Sequence, residues 1–193
     1  DSCLVGSEMC IRDRVSRVGD LCLIAAFSGI YMIYGVQDFG HIFEAVQIEG
    51  NLLSNNTWIG WLIIFGAILK SAQFPFHTWL PDTMGAPTPV SALMHAGIIN
   101  GGGYLVVRLS PVLVHTLGAL HMLAIVGALT AVYASMVMLS QTSVKRALAY
   151  STIAQMGFML LQCGLGAFHL AVIHVVAHSL YKGCLLYTSP SPR

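Results

Sequence analysis

Between residues 117 and 140 the chain reads "LGALHMLAIVGALTAVYASMVMLS", an unbroken apolar run that carries no charge. A stretch of this length is long enough to cross the hydrocarbon core of a bilayer as a helix. Similar runs recur along the sequence. "DLCLIAAFSGIYMIYGVQ" (20–37) reads as a first span. A polar connection, 38–57, follows with Asp38, Glu44 and Glu49. "WIGWLIIFGAILK" (58–70) is apolar but too short to span alone, and it runs into "SAQFPFHTWLPD" (71–82). Pro75 and Pro81 each remove a backbone donor, so the pattern predicts a broken helix there. "PTPVSALMHAGIINGGGYLVVRL" (87–109) opens with prolines, as helix starts allow. Its Gly101-Gly102-Gly103 predicts a thin face for close packing or a local unwinding. Segments 144–166 and 167–183 complete a set of about six spans joined mostly by short loops.

Composition sharpens this picture. Hydrophobic residues make up 56% of the 193 and charged residues only 9%, against about 25% charged in soluble domains. Too little charge is available to cover a water-facing surface. The fold class that follows is all-α integral membrane, a polytopic helix bundle, because backbone polar groups in lipid must be satisfied within each segment. No period-2 alternation of the kind a β-barrel needs is present. The net charge of +1 gives no basis for a nucleic-acid partner; lipid is the expected surrounding. Arg17 and the Lys145–Arg146 pair fall on one side of the membrane when the spans alternate, with Arg108 and the acidic 38–49 connection on the other. The charge bias favours the Arg17 side as cytoplasmic; the expected location is a cell (inner) membrane.

The two ends stand apart. "LVGSEMCIRDR" (4–14) and "CLLYTSPSPR" (184–193) hold two of the seven prolines and a third of the Lys and Arg. Back-translated, the tail has a reverse complement that reads in a shifted frame as Val-Gly-Ser-Glu-Met-Cys-Ile-Arg, which is Val5 to Arg12. Unrelated protein ends are not expected to be complementary strands of one oligonucleotide. Residues 1–14 and 184–193 therefore read as a translated sequencing adapter, with a natural inverted repeat as the alternative, and are set aside from fold reasoning. The expected natural segment is 15–183, a fragment with neither true terminus. Of the cysteines it keeps Cys22 and Cys163, whose spacing signals neither a metal site nor a disulfide.

Ionisable side chains occur where lipid is expected. Beyond Asp82 the chain has no Asp or Glu, yet it carries His95, Lys145, His169, His174, His178 and Lys182. A charged lysine at the bilayer centre costs about 2.5–3.5 kcal/mol on insertion scales, so such residues mark function by default. His174, His178 and Lys182 recur every fourth residue and share one helix face, at about 6 Å per step. Waters bridging those gaps would make the face a proton relay. Against this, Lys182 alone can snorkel to the interface, and either histidine alone reads as a packed core residue. It is the three in series that favour the relay. Lys70 ends an apolar stretch just before the predicted break, where snorkelling and function are equally compatible with the sequence. Asp82 reads as an N-cap, and His115 and His121 as interfacial. No carboxylate in 87–183 can pair with these lysines, so a partner must come from an earlier helix or another subunit.

The block "KSAQFPFHTWLPDTMGAPTPVSALMHAG" (70–97), with "VKRALAYSTIAQMGFM" (144–159) and "HVVAHSLYK" (174–182), resembles the antiporter-like membrane subunits shared by proton-pumping NADH–quinone oxidoreductase (complex I) and multisubunit Mrp-type sodium/proton antiporters. The resemblance covers nearly all of 15–183. It implies a bundle of inverted five-helix repeats with discontinuous helices and a central polar axis. On that resemblance Lys70 is the lysine at the broken helix, exchanging a proton with a glutamate on an earlier helix that this sequence lacks. His95 is the histidine of the "SALxH" segment, Lys145 opens the later helix, and His174, His178 and Lys182 are the connecting relay.

Within the family, Asn100 and the triple glycine lean away from complex I. "AQMGFMLLQCGLGAFHLAVIHVVAHSLYK" (154–182) looks like the membrane subunit of a two-component inorganic-carbon accumulation complex. That resemblance implies a cation gradient, most simply of protons, driving one-way conversion of CO2 to bicarbonate, with a large zinc-bearing, carbonic-anhydrase-like partner holding the zinc. The alternatives are a proton-pumping subunit of NADH–quinone oxidoreductase, an Mrp-type antiporter subunit, and a structural membrane subunit whose His and Lys only pack. The chain shows no flavin, quinone or nicotinamide motif, no zinc-type Cys/His cluster and no catalytic redox or hydration residues. No cofactor is expected, because the glycine cluster lies inside an apolar span and does not follow a strand.

Overall fold

The structure, a computed structural model, describes the backbone of residues 2–35, 38–48, 52, 55–82 and 88–188, with side chains for 14–35, 38–48, 52, 55–81 and 90–185. Its described elements are helical throughout: α1 (Ser2–Tyr34), α2 (Phe39–Ile48), α3 (Trp58–Lys70), α4 (Trp79–Asp82), α5 (Thr88–Leu93), a π-helical turn (Met94–Ile98), α6 (Asn100–Arg108), α7 (Ser110–Leu113), α8 (Leu117–Leu139), α9 (Val144–Gly164) and α10 (Phe168–Thr188). Among the described residues, three stretches are long and apolar enough to cross a membrane: Arg14–Tyr34, Val90–Arg108 and Leu117–Leu139. At 21 residues each, α9 and α10 reach about 30 Å, a bilayer core's thickness. With 13 residues α3 does not.

The antiparallel pair α8–α9 forms the most extensive helix contact, and α1 lies along α3. Two glycines let α8 and α9 approach. A Cβ on Gly157 would lie 2.7 Å from the backbone nitrogen of Ala131 and 2.8 Å from the carbonyl of Gly127, and one on Gly127 would lie 2.7 Å from the carbonyl of Gly157. Backbone thus meets backbone, as small residues permit between helices in lipid. Around this pair the core gathers Ile63 and Ala67 from α3, Val106 from α6, Leu123 from α8 and Ile153 and Met156 from α9.

The broken helix lies where the two prolines place it. After Lys70 the chain turns through Ala72, whose φ is +50°, and helix resumes only at Trp79. The freed backbone groups find partners inside the protein: the Phe74 N–H donates to Thr130 Oγ1 at 3.2 Å, and the Phe76 N–H to the Gln73 carbonyl at 2.6 Å. That is the condition under which irregular backbone survives at membrane depth.

Two expectations need amendment, and one left open between packing and unwinding is decided. Part of the supposed polar connection 38–57 is helix α2, whose Ile42 and Val46 are buried, and whose Phe39 and Phe43 rings receive the Arg108 guanidinium at 5.6 and 5.4 Å. Arg108 and the acidic segment therefore share one end of the bundle. The first span ends three residues earlier than expected, at Tyr34, because Gly35 takes a φ of +68°. The triple glycine packs and does not unwind: Gly102 lies against Ser71 and Ala67, and Gly103 against Met159, while Gly101 faces open space. The irregular turn falls just upstream, at Met94–Ile98. Of the two end segments, the backbone of residues 4–14 continues α1 and that of 184–188 continues α10; residues 1 and 189–193 lie outside the described residues.

Candidate functional site

The polar interior of the bundle lies where α10 packs across α5, the π turn, α6 and α9. α10 carries His174, His178 and Lys182 on one face, as their spacing requires. Lys182 is 1% exposed and His178 5%, so Lys182 does not snorkel to an interface. Its Nζ donates to the Leu148 carbonyl of α9 at 3.2 Å. The Thr152 hydroxyl, one turn on, donates to that same carbonyl at 3.0 Å. Having spent its hydrogen there, Thr152 Oγ1 accepts from His95 Nδ1 at 3.2 Å. His95 thus carries its hydrogen on Nδ1 and presents Nε2 as a bare base, buried and without a hydrogen-bond partner. One carbonyl of α9 joins two of the sequence-predicted residues, His95 and Lys182.

From Lys182 the line continues along α10. His178 lies within electrostatic reach of Lys182, His174 and His95, and neither of its ring nitrogens has a partner. Its ring is 6.3 Å from that of His174. His174 Nδ1 lies 3.2 Å from Gln162 Oε1; an amide oxygen only accepts, so the hydrogen is again on Nδ1. Asn100, from α6, donates to the Ala96 carbonyl and to Ser179 Oγ, each at 2.7 Å, tying the end of the π turn to α10 beside His178.

Lys70 forms a second centre, at the end of α3. Its Nζ is 2.6 Å from Asp20 Oδ1 and 3.4 Å from Ser16 Oγ, both on α1. Asp20, the first residue of the apolar run 20–37, was passed over in the sequence. It supplies a carboxylate for Lys70 within the chain, separate from the glutamate that the family resemblance implies. A cavity of about 350 Å³ lies on the Ser16 side of Lys70 and one of about 270 Å³ on the Asp20 side, and Ile98 of the π turn lines both.

Other candidates stay apart. Lys145, half-buried in the first turn of α9, makes no hydrogen bond or ion pair among the described residues. His115, His121 and His169 are exposed. His77, absent from the sequence reading, is buried in the helix break against Phe74 and Tyr133, with Nδ1 unpaired. No group of three metal-ligating side chains is found among the described residues.

Residues 11–191 match the family described as NADH:quinone oxidoreductase/Mrp antiporter, TM. The chain belongs to that family. It is 50% identical over 179 residues, 91% of its length, to the protein named probable inorganic carbon transporter subunit DabB1 of Halothiobacillus neapolitanus. Its identity to the chloroplastic NAD(P)H-quinone oxidoreductase subunit 5 of Capsella bursa-pastoris is 39% over 196 residues, 97% of the chain. The chain spans 32% of the first relative's length and 26% of the second's. In the solved structure of an Mrp complex from Dietzia sp., a superposition covers 93% of this chain and 20% of that one, with a TM-score of 0.82 and 35% identity.

Proposed function

We propose that this chain is part of a proton-translocating, energy-coupling membrane subunit of an inorganic-carbon transport complex, with Lys70, His95, Lys145, His174, His178 and Lys182 as its proton carriers. The observation that carries the reading is the hydrogen-bonded connection from His95 through Thr152 and the Leu148 carbonyl to the buried Lys182. The shared carbonyl accepts from both sides and passes no proton itself; it holds the two bases beside one another, and water carries the proton between them. The 50% identity to an inorganic carbon transporter subunit supports the choice of complex. In this reading the chemistry of hydration belongs to a separate, zinc-bearing, carbonic-anhydrase-like subunit, and the complex sits in the cell (inner) membrane.

The test uses the full-length protein in energised vesicles. Lys182→Ala and Lys70→Ala each abolish gradient-driven bicarbonate accumulation; retention of uptake in both variants sinks the relay. Zinc assayed in the co-purified complex, and membrane fractionation, check the partner and the location.

A second reading, a proton-pumping subunit of a quinone oxidoreductase, is favoured by the 39% identity to subunit 5 along 97% of the chain. A third, a subunit of a sodium/proton antiporter, is favoured by the superposition on an Mrp complex. Neighbouring genes separate them: a gene for a zinc-site protein supports the first, a run of respiratory-subunit genes the second, and a complete antiporter operon the third.

A further inference from the structure

The side chain of Asn100 reaches the chain neighbours of both His95 and His178. Its amide N–H groups donate at 2.7 Å to the carbonyl of Ala96, next to His95, and to Oγ of Ser179, next to His178. A carbonyl only accepts, so the amide nitrogen faces Ala96 and the oxygen points away from it. Asn100 is 4% exposed, and its Oδ1 is enclosed without a partner. His95 Nε2 and both ring nitrogens of His178 are enclosed in the same manner. This chain's own atoms create that burial, so further protein reaches none of these atoms without opening the bundle. Ser71 Oγ, an enclosed hydroxyl that also lacks a partner, lies against Gly102, about 200° round α6 from Asn100. It belongs to the α3 side of the helix.

An enclosed polar atom left unpaired costs about 1–3 kcal/mol. Buried water is the usual partner of such groups, making about three hydrogen bonds. The set here complements one water. His95 Nε2 carries no hydrogen, since the hydrogen on Nδ1 faces Thr152, and Asn100 Oδ1 only accepts. Neutral His178 has one N–H to give. A water accepts that N–H and donates its own two hydrogens to Nε2 and Oδ1. We propose that Asn100 is a positioning residue that holds such a water between His178 and His95, and that this water carries the proton step between α10 and the π turn. The step rests on the proton-translocating reading above; the water site does not. Protonated His178 gives its proton to the water oxygen as the water gives a hydrogen to His95 Nε2, so the water is restored and one charge moves from ring to ring. The amide oxygen takes up no proton. It holds the second water hydrogen, which keeps the first aimed at His95. Lys182 and His174 are the other titratable groups within electrostatic reach of His178.

The experiment uses the full-length protein in lipid vesicles. Solid-state NMR reads contacts between water protons and histidine ring nitrogens, with signals assigned through His95→Gln and His178→Gln. Wild type shows an ordered water in contact with both rings. Asn100→Leu, close to asparagine in shape, loses that contact. Its gradient-driven transport falls by about tenfold or more, the worth of one hydrogen bond, and its pH–rate profile is displaced. Ser179→Ala keeps the contact, because the Ala96 carbonyl still orients the amide. A mere tie between α6 and α10 predicts otherwise: equal losses in the two variants and an undisplaced profile. The proposal is overturned by the absence of a water contact in wild type, by its survival in Asn100→Leu, or by equal loss in Asn100→Leu and Ser179→Ala. Unimpaired transport in Asn100→Leu overturns the proton step. If the leucine variant does not fold, the wild-type and Ser179→Ala spectra decide. The spectra are read without transport, so intact uptake in Lys182→Ala and Lys70→Ala ends the relay and its proton step while the water site stands or falls by its own result.

Discussion

Lys70 and Asp20 are fifty residues apart in sequence and 2.6 Å apart in space. The contact closes the end of α3 against the middle of α1, at the point where α3 breaks. Neither side chain is deeply buried by protein, at 34% and 51% exposure. The effect of the contact should appear in transport.

Asp20→Asn in the full-length protein therefore leaves the thermal midpoint within a few degrees of wild type and lowers gradient-driven transport at least tenfold. Asp20→Glu, which keeps the charge, restores a substantial part. An unimpaired Asp20→Asn variant would show that the ion pair only packs α1 on α3.

Thr152 fixes which nitrogen of His95 holds hydrogen. Thr152→Ser preserves the hydroxyl and is expected to transport normally. Thr152→Val removes the acceptor from His95 and one donor from the Leu148 carbonyl while keeping the shape, leaving a buried N–H unpaired at a cost of about 1–3 kcal/mol. Transport then falls by an order of magnitude or more. The check is a comparison of pH–rate profiles for the two variants, because a merely structural role would lower the rate without displacing the profile.

The α8–α9 contact makes a prediction about stability alone. Gly157→Ala puts a methyl group 2.7 Å from a backbone nitrogen, and the helices can only separate. A loss of about 1–3 kcal/mol follows, read as a lowered midpoint in detergent. Gly101→Ala meets nothing within 4 Å and is neutral or stabilising by up to about 1 kcal/mol, which makes it the matched control.

The two end segments predict a result at the level of DNA. Sequencing the source outward from the codons of residues 15–183 replaces residues 1–14 and 184–193 with unrelated sequence. If both tails are found in genomic DNA, the adapter interpretation is wrong and they are protein. The match of the family to residues 11–191 takes in the last four positions of the first segment and the first eight of the second.

Much of the architecture was legible because lipid imposes a simple code: long apolar runs for α1, α8 and the helix through 90–108, and two prolines for the interruption after Lys70. The His174–His178–Lys182 face followed from four-residue spacing alone. What pairs with that face did not, because the Leu148 carbonyl and Gln162 become partners of Lys182 and His174 only when α9 and α10 meet, and a carbonyl has no letter in the sequence. Asp20 was missed for the same reason: its role depends on how α1 lies along α3. The helix at Phe39–Ile48 did leave a trace. Phe39, Ile42, Phe43 and Val46 repeat at helical spacing, but the neighbouring charges drew the segment towards a loop assignment.

The π-helical turn at Met94–Ile98 has a consequence for how the two polar centres relate. Its wide bond, from the Ile99 N–H to the Met94 carbonyl, accommodates one residue more than an α-helical turn would. His95 points from this turn towards Thr152, and Ile98 borders both spaces around Lys70. A shift of that extra residue along the helix turns both side chains at once, since they are mounted on the same stretch of backbone. The two polar centres thus have one turn of helix as a common wall, and among the described residues no hydrogen bond runs between them.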